Sequence, residues 1–548
     1  MDTLRLILIV LLTFIGMLLW QAWERDYGPR PATVESAQPA AVAPTTDAAK
    51  DMPPVAKKPD VPKAPDASPT AASAKRVQVR TDLFDIELST TGAVINRAAL
   101  RQYPLDLKDK EQLFALLGQD ATRDFVAQAG LKAEGDSPDH YAIFTVEQDR
   151  YEMGPNDDIL VVPMRWRSPA GVEVLRELEF KRGSYAVTQR FRVANKSEAV
   201  WKFHHYEQLQ RVIAPAGHQL VPTFTGAAIS TPEERYRKVK FESLTEAPLE
   251  QDVAKGWLAL IEHYFVAALL PDEAQPHHYY GTALGNQRYV VGFYGPETSV
   301  APGADTTVQS RLYLGPKLQE TLAQIAPGLD LTVDYGMLWF IAKLLFWTMT
   351  KFHALLGNWG WSIIALTVLI KLVFYPLSAA GYRSMARMKA VQPRLLQIRE
   401  RYSDDRARLN QAMMDLYKNE KINPLGGCLP ILVQIPVFIA LYWMILETVE
   451  LRQAPFLLWI QDLSLKDPYY VLPVLMLISM WFQTKMNPVP PDPIQAKVMQ
   501  IMPFAFGIFF AFFPAGLVLY WFVNNVLSIA QQWYITRQIE QGAAQARK

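Results

Sequence analysis

A series of long apolar segments in the last third of the chain constrains its fold most strongly. These segments lie at about residues 361–380, 429–446, 469–484, 499–513 and 515–535. Apolar segments of about this length with few or no charges are typical of helices that cross the hydrocarbon core of a membrane, which is roughly 30 Å thick. No Asp or Glu occurs in any of the five. The sequence therefore predicts a helical membrane region built from these segments.

A sixth apolar segment, residues 4–23, opens the chain. A cleaved signal peptide is the alternative to a membrane anchor here, but its apolar part is usually shorter, about 7–15 residues, and is followed by an A-x-A-like site. This segment ends instead in Trp20-Gln-Ala-Trp23. We therefore expect residues 1–27 to form an uncleaved anchor. Residues 28–75 are rich in Pro and Ala, which predicts an extended linker without a core of its own.

Residues 76–330 have the pattern of an all-β domain. Arg76–Arg80 and Val172–Phe180 alternate between apolar and polar residues, as half-buried strands do. Turn-forming residues stand at Ser168–Gly171 and Arg182–Ser184. Many short strands of this kind predict a β-sandwich. The same alternation occurs at Asp82–Leu88, Ile159–Val162 and Tyr185–Val193.

Two further segments do not show the simple alternation of a half-buried strand. Lys255–Leu269 is consistent with either a helix or a pair of buried strands, and its sequence does not decide between them. Residues 336–356 are apolar but are interrupted by Lys343, Lys351 and His353. This mixture predicts an amphipathic helix that lies in the membrane surface and does not cross the membrane.

The positive charges between the apolar segments predict the orientation. The N-terminal segment 4–23 is counted here as the first span and 515–535 as the sixth. Lys and Arg are then concentrated between the second and third spans, around the loop after the fourth, and after the sixth. Because cytoplasmic loops carry an excess of Lys and Arg, these parts are expected in the cytoplasm. The two termini would then be cytoplasmic and the β-domain periplasmic, in the inner membrane of a double-membraned bacterium. Residues 361–537 would form a five-span core, and 538–548 a cytoplasmic tail.

Residues 381–422, inside that core, are predicted to form a cytoplasmic helical hairpin. Apolar residues recur at three- and four-residue steps on both sides of a break at Ser403-Asp-Asp405. This spacing predicts two amphipathic helices of about 20 residues each. Packing of the two helices on each other would by itself explain this pattern, but methionines on such a face also suit the binding of varied partners. The candidate recruitment residues are Met385, Met388, Leu395 and Met413.

Lys371 is the residue that most directly suggests a function. It lies in the segment from Trp361 to Leu377 that otherwise reads as lipid-buried helix. An ammonium group at such a depth costs roughly 2.5–3.5 kcal/mol on insertion scales, so it normally faces a polar cavity. Because no carboxylate occurs in the spans, we expect this cavity to receive a negative or polar group from outside the protein.

Other polar residues of the spans are candidates for the same cavity. Thr367 shares a helix face with Lys371, although threonine in a membrane helix more often bonds to its own preceding turn. Gln434 and the band of Asn524, Asn525 and Ser528 line a groove or, alternatively, join helices by hydrogen bonds. Asn524 and Ser528 lie four residues apart and share a face. The full set of candidate groove residues is Lys371, Thr367, Gln434, Asn524, Ser528, Tyr520 and Trp521.

The composition argues against several other classes of protein. The net charge is +1, and there is no basic block of the kind that binds nucleic acids. Cys428 is the single cysteine, so the chain has no internal disulfide and no Cys/His zinc pattern. No nucleotide-binding motif is present. We therefore expect no metal, no cofactor, no nucleotide and no enzymatic chemistry.

Several motifs carry a resemblance to a known family. They are Tyr375-Pro-Leu377, Asn423–Pro430, Val449–Phe456, Asp467–Tyr470 and Pro514–Trp521, in this order after Lys371. Together with the hairpin, they resemble the YidC family of membrane protein insertases, which has relatives in mitochondria and thylakoids. The resemblance covers nearly the whole chain and is densest across 336–537.

The resemblance implies a polytopic α-helical membrane protein with six spans, a five-helix insertase core and a large periplasmic all-β sandwich of the galactose-mutarotase type. It implies a hydrophilic groove that accepts polar segments of nascent membrane proteins and releases their apolar segments into the lipid bilayer. The implied partners are ribosome–nascent chain complexes and the Sec translocon. The family usually carries arginine where this chain has Lys371, and lysine lacks the planar fork of a guanidinium.

Two other functions fit parts of the sequence. A secondary transporter or channel is the main alternative, but coupled transporters usually have carboxylates within the membrane or internal repeats. A tethered periplasmic carbohydrate enzyme rests only on an analogy of fold. The sequence favours the insertase over both.

Overall fold

The computed structural model describes residues 75–119, 123–213, 223–402, 405–420, 429–487 and 493–546. The predicted anchor, nearly all of the predicted linker, Cys428 and the turn at residues 403–404 lie outside the described residues. The described part consists of a β-domain followed by a helical region.

The strands of the β-domain fall into two antiparallel layers, apart from one parallel pairing between β1 and β7. In the first sheet the order is β14-β17-β18-β11-β5-β4-β3-β2-β1-β7, with β19 beside β11. In the second it is β13-β12-β15-β16-β20-β10-β9-β8-β6. The strands are β1 Arg76–Arg80, β2 Phe84–Ser89, β3 Ile95–Pro104, β4 Leu113–Gln119, β5 Asp124–Ala133, β6 Thr145–Val146, β7 Arg150–Glu152, β8 Ile159–Arg167, β9 Val172–Lys181, β10 Ala186–Asn195, β11 Trp201–Val212, β12 Gly226–Ser230, β13 Arg237–Val239, β14 Leu249–Val253, β15 Trp257–Ile261, β16 Phe265–Leu270, β17 His277–Gly285, β18 Arg288–Tyr294, β19 Thr298–Val300 and β20 Asp305–Pro316.

The alternating residues of these strands form the core between the sheets. Val77 and Val79 of β1 are fully buried while their neighbours are exposed. Across the layers, the ring of Phe84 in β2 meets the edge of Phe180 in β9, with centroids 6.3 Å apart. The predicted β-sandwich is therefore confirmed.

The two turn predictions and the undecided segment are also resolved by the strands. Gly171, at φ 98°, closes the hairpin between β8 and β9, and Gly183, at φ 70°, closes that between β9 and β10. Glycine suits both positions because it has no Cβ to clash at positive φ. Lys255–Leu269 is a pair of antiparallel buried strands, β15 and β16, and not a helix.

The helical region follows β20. Its helices and the two short helices of the β-domain are α1 Phe241–Glu246, α2 Gln319–Ile325, α3 Trp339–Leu356, α4 Trp359–Val373, α5 Tyr375–Arg401, α6 Arg406–Asn419, α7 Leu429–Glu447, α8 Val471–Met486, α9 Pro493–Phe510 and α10 Ala515–Ala546. Single 3₁₀ turns occur at Leu329–Thr332, Gly336–Leu338 and Val449–Leu451.

The predicted span 361–380 is not one straight helix. It breaks at Phe374, where α4 and α5 meet at an angle of 68°. Pro376 lies in the first turn of α5, and proline has no N–H to donate and disfavours a helical residue before it. As a result Lys371 lies in the last turn of α4, directly before the bend.

Among the described residues, no single helix is both long and apolar enough to cross a bilayer by itself. The bent pair α4 and α5 meets that requirement only when its two halves are taken together. The apolar parts of the other helices, Val433–Glu447, Val471–Met486 and Ala496–Phe510, are shorter. Helix α9 begins six residues before the predicted segment 499–513 and ends three residues earlier.

Helix α3 has two apolar faces. Ala342, Leu345, Phe346 and Met349 are buried at helical spacing, and α3 packs against α4 and α7. The opposite side exposes a second set of large apolar side chains. These are Trp339, Phe340, Leu344, Trp347 and Leu355.

Polar contacts fix the β-domain to the end of α7 and to the loop that follows it. Lys317, directly after β20, forms a buried ion pair with Glu447, with 2.9 Å between Nζ and Oε2. Burial lowers the pKa of His263 to about 4, so its ring is neutral at pH 7. Its Nε2–H donates to the Leu446 carbonyl at 2.9 Å. Arg452 and Gln453 each donate to the Pro104 carbonyl at 2.8 Å.

Candidate functional site

Five helices surround a cavity of about 350 Å³ in the helical region. Its walls come from α4, α5, α7, α8 and α10. The lining residues are Lys371, Ser378, Gly381, Tyr382, Met385, Gln434, Ile435, Phe438, Gln483, Asn487, Tyr520, Trp521, Asn524, Asn525 and Ser528. Most of these side chains can donate or accept hydrogen bonds, although the helices that carry them are mainly apolar.

Lys371 supplies a cation to this cavity. Its ammonium donates to Ser528 Oγ at 2.7 Å. Among the described residues, it has no carboxylate within 4 Å, the limit for an ion pair. An ammonium has three donors, so hydrogen-bonding capacity remains for a molecule that enters the cavity.

Helix α10 contributes a polar arc made of Asn524, Asn525 and Ser528. At 100° per residue, these three positions span only about 100° of the helix circumference, so all can face one cavity. Asn525 Nδ2 also donates to Ser479 Oγ of α8 at 2.9 Å. Asn525 thus lines the cavity and also bonds α10 to α8. The sequence predicts only Asn524 and Ser528 on the cavity face.

Gln434 connects the arc to α7. Its Nε2 donates to Asn524 Oδ1 at 3.1 Å. The polar contacts therefore run from Lys371 on α4 through Ser528 and Asn524 on α10 to Gln434 on α7. Residues from three helices, distant in sequence, are brought together in this way.

Aromatic residues form one end of the cavity. The ring of Phe438 stacks on Trp521, with centroids 5.2 Å apart, and lies 6.3 Å from the ring of Tyr520. Tyr520 is buried, with an exposed fraction of 1%. Both sequence-predicted aromatic residues, Tyr520 and Trp521, thus line the cavity.

Beyond Phe438 and Trp521 lies a second, apolar cleft of about 700 Å³. These two residues line both spaces, so the polar cavity and the apolar cleft are neighbours. The remaining lining residues of the cleft are Ile439, Tyr442, Ala505, Ile508, Phe509, Phe512, Phe513. A polar and an apolar binding space are therefore placed side by side.

The structure corrects the placement of Thr367. Its hydroxyl donates to the Ile363 carbonyl of its own helix at 2.7 Å, and its side chain is fully buried. It is absent from the cavity wall. The hydroxyl is satisfied within its own helical turn, so Thr367 has no remaining donor to offer to the cavity.

The hairpin residues divide between two places. Met385 lines the polar cavity, while Leu395 of α5 is buried away from it. Met388 and Met413 are half-buried. The ion pair of Arg394 with Glu420, 2.5 Å apart, ties the two helices together. The first helix has 27 residues and the second 14, so the hairpin is less symmetric than predicted.

Four polar lining residues are not indicated by the sequence: Ser378, Tyr382, Gln483 and Asn487. They lie near or beyond the ends of the predicted spans, where polar residues carry no special signal. The bend at Phe374 and the ends of α5 and α8 bring them to the cavity. Among the described residues, no group of His, Cys, Asp and Glu side chains is arranged to hold a metal.

Comparisons with known proteins agree over the whole chain. The family model described as 60Kd inner membrane protein matches residues 351–542, and that described as YidC periplasmic domain matches residues 76–348. The membrane protein insertase YidC of Thioalkalivibrio sulfidiphilus is 48% identical, and the match covers 98% of this chain and 99% of that protein. The insertase YidC of Nitrosococcus oceani is 46% identical over 99% of this chain and 100% of its own.

Among solved structures, a crystal structure of an active YidC insertase matches 84% of this chain and 95% of its own, with 17% identity and a TM-score of 0.38. The extent and identity of the curated relatives confirm the resemblance found in the motifs. The chain belongs to the YidC family of membrane protein insertases.

Proposed function

We propose that this protein is an insertase and chaperone that receives the polar segment of a nascent membrane protein in the cavity around Lys371. The observation that carries the proposal is the Lys371 ammonium, which has donors left for further hydrogen bonds. It lies in a cavity lined by Gln434, Asn524 and Ser528. Transfer of a polar group into hydrocarbon without a hydrogen-bond partner costs several kcal/mol of free energy. A polar cavity offers such groups partners and so lowers the barrier to their passage.

The apolar cleft beside the cavity suits the next step. An apolar segment of the substrate would lie against Tyr442, Phe509 and Phe513 while its polar flank occupies the cavity. Transfer of that segment into lipid removes apolar surface from water, which drives insertion without a nucleotide. The shared wall of Phe438 and Trp521 lets one polypeptide contact both spaces at once.

The proposed topology follows from the charge pattern. Six spans, with both termini and the hairpin 381–422 in the cytoplasm, place the β-domain in the periplasm and α3 at the membrane surface. The hairpin, with Met388 and Met413 half-buried and Met414 exposed, would recruit substrate or ribosome–nascent chain complexes. The Sec translocon is proposed as a further partner for larger substrates.

Reconstitution tests the proposal. The purified full-length protein is placed in liposomes, and insertion of a small test membrane protein is measured by protection from protease. We expect Lys371→Met to insert several times less substrate than the wild type, and Lys371→Arg to retain most activity because it keeps the charge. Thr367→Val, one turn away and outside the cavity wall, is the matched control.

Crosslinking gives an independent readout. A photoreactive residue at position 434 or 524 should capture a stalled nascent chain, whereas one at the exposed position 474 of α8 should capture much less. Equal insertion with and without the protein, or capture that is independent of position, would contradict the proposal. Ion flux through these liposomes in the absence of substrate would instead favour a channel.

A further inference from the structure

The contact between Lys371 and Ser528 has a fixed direction. Ser528 has one hydroxyl proton, and it donates this proton to the Asn524 carbonyl of its own helix at 2.7 Å. The lone pairs of its oxygen therefore remain to accept the hydrogen bond from the Lys371 ammonium, also at 2.7 Å. Ser528 is 5% exposed, so water has little access to compete for this hydrogen bond.

The contact with Ser528 restricts the side chain of Lys371. A lysine side chain has a flexible four-carbon stem and tends to carry its charge toward the membrane surface. Lys371 lies in the last turn of α4, directly before the bend at Phe374. The hydrogen bond that the ammonium donates to Ser528 of α10 holds it over the cavity.

The acceptor is itself held in place. The backbone carbonyl of Asn524 accepts the Ser528 proton. The side chain of the same residue accepts a hydrogen bond from Gln434 of α7 through Oδ1. The orientation of the Ser528 hydroxyl therefore depends on the backbone of a helical turn that is anchored to a third helix. This arrangement leaves two ammonium donors of Lys371 for an incoming acceptor.

We infer that Ser528 is a positioning residue, which holds the Lys371 ammonium in the cavity and thereby sets a preference for substrates with an acidic polar flank over those with a neutral one. The inference rests on the proposed function of the cavity. Alternatively, Ser528 serves only to pack α10 against α4. Loss of its hydroxyl would then weaken the insertion of every substrate to the same extent.

Two variants and two substrates distinguish these readings. Ser528→Thr keeps the hydroxyl, and Ser528→Val has nearly the same shape without it. The substrates are single-span proteins identical except for Asp or Asn in the translocated flank. Insertion of each is measured in liposomes with full-length protein, and the quantity compared is the ratio of acidic to neutral substrate inserted.

We expect Ser528→Val to lower this ratio roughly three- to tenfold, toward the ratio of Lys371→Met, since hydrogen bonds to charged groups are the stronger ones. Ser528→Thr should restore it. In a Lys371→Met background, the exchange of Thr for Val at position 528 should have no further effect. Ser528→Ala provides the same comparison if the valine variant does not fold, as judged by its thermal midpoint in detergent.

The outcomes separate the inference from the function on which it rests. If Lys371→Met leaves the ratio unchanged, the cation has no role in recognition and the proposed function of the cavity fails. If Lys371→Met lowers the ratio but Ser528→Val and Ser528→Ala reduce both substrates equally, Ser528 is a packing residue and the inference alone is overturned.

Discussion

Lys371 and Thr367 lie one helical turn apart on α4, yet only the lysine lines the cavity. Side chains four residues apart share a helix face, and this is why both were expected there. The difference arises from the length of the side chains and from local hydrogen bonding. The threonine hydroxyl is satisfied at the Ile363 carbonyl, 2.7 Å away, whereas the lysine reaches across to α10.

This difference leads to a prediction at the scale of a residue. Thr367→Val removes a hydroxyl that serves only its own helix, so the free energy of unfolding should change by less than about 1 kcal/mol. Insertion should stay at the wild-type level, measured in the liposome assay together with the thermal midpoint in detergent. A variant that folds normally but loses insertion would return Thr367 to the functional cavity.

At the scale of elements, the start of α4 is fixed by the loop between α7 and α8. Asn358 caps α4, since its Oδ1 accepts from the Trp361 N–H at 3.1 Å. The same side chain donates through Nδ2 to the carbonyls of Pro455 and Phe456, at 3.1 and 3.3 Å. A Cβ at Gly360 would come within 2.0 Å of the Phe456 ring, so the helix and the loop are in close contact.

The two roles of Asn358 can be separated by substitution. Asn358→Asp keeps the capping acceptor but loses both donors to the loop, while Asn358→Ala loses all of these contacts. We expect the alanine variant to be less stable by about 1–2 kcal/mol and the aspartate variant to lose less, because helix capping is retained. Thermal unfolding of the detergent-solubilised protein measures both. Equal destabilisation by the two substitutions would show that the cap contributes nothing.

At the scale of the whole molecule, the β-domain and the helical region meet through charges removed from water. The side chains of Lys317 and Glu447 are 2% and 4% exposed, and the Lys317 ammonium also donates to the Thr332 carbonyl at 3.2 Å. A buried pair adds little net stability over apolar residues, but a single buried charge without its partner is strongly destabilising. The contact therefore makes correct docking of the two regions specific.

This predicts non-additive effects at the junction. Lys317→Met alone should lower the free energy of unfolding by about 3–5 kcal/mol, because it leaves the Glu447 carboxylate unpaired. The double variant Lys317→Met/Glu447→Leu should recover most of that loss. The thermal midpoints of the wild type, both single variants and the double variant complete the cycle. Additive losses would contradict a coupled pair.

Glu450 makes the same junction sensitive to pH. Burial raises the pKa of its carboxyl from 4.5 to about 7, and the neighbouring Glu320 adds to the rise. Tyr103 and Tyr335 also face it, and burial raises the pKa of both phenols, so they stay neutral in this range. The folded protein holds the Glu450 proton more tightly than the unfolded chain. Its contribution to stability is therefore complete below about pH 4.5 and is lost as the pH rises through about 7.

Replacement of Glu450 by glutamine should remove this dependence. We expect Glu450→Gln to be more stable than the wild type at pH 8, by roughly 1–3 kcal/mol, and to differ little from it at pH 5. The thermal midpoint in detergent, measured at both pH values, checks the expectation. Glu242→Gln, at an exposed glutamate of the β-domain, is the control. An equal difference from the wild type at both pH values would exclude a titrating Glu450.

The division of the chain and the identity of its polar candidates follow from the amino-acid sequence alone. Strand alternation and apolar runs are local properties, so the β-sandwich and the helical region could be read directly from them. Lys371 stood out because a charge within an apolar segment needs an explanation wherever the segment lies. Gln434, Asn524, Ser528, Tyr520 and Trp521 were named on the same grounds, and all five line the cavity.

Which of these groups meet depends on the packing of the helices and strands in three dimensions. The bend at Phe374, the apolar cleft beside Trp521, and the cavity positions of Tyr382, Gln483 and Asn487 arise from contacts between helices that are distant in sequence. The sequence of β15 and β16 likewise does not decide between helix and strand. In the structure the two strands pair with β12 on one side and β20 on the other. Periodicity reports which face of an element is apolar. It does not report which neighbour covers that face, because the neighbour is chosen by packing of the whole molecule.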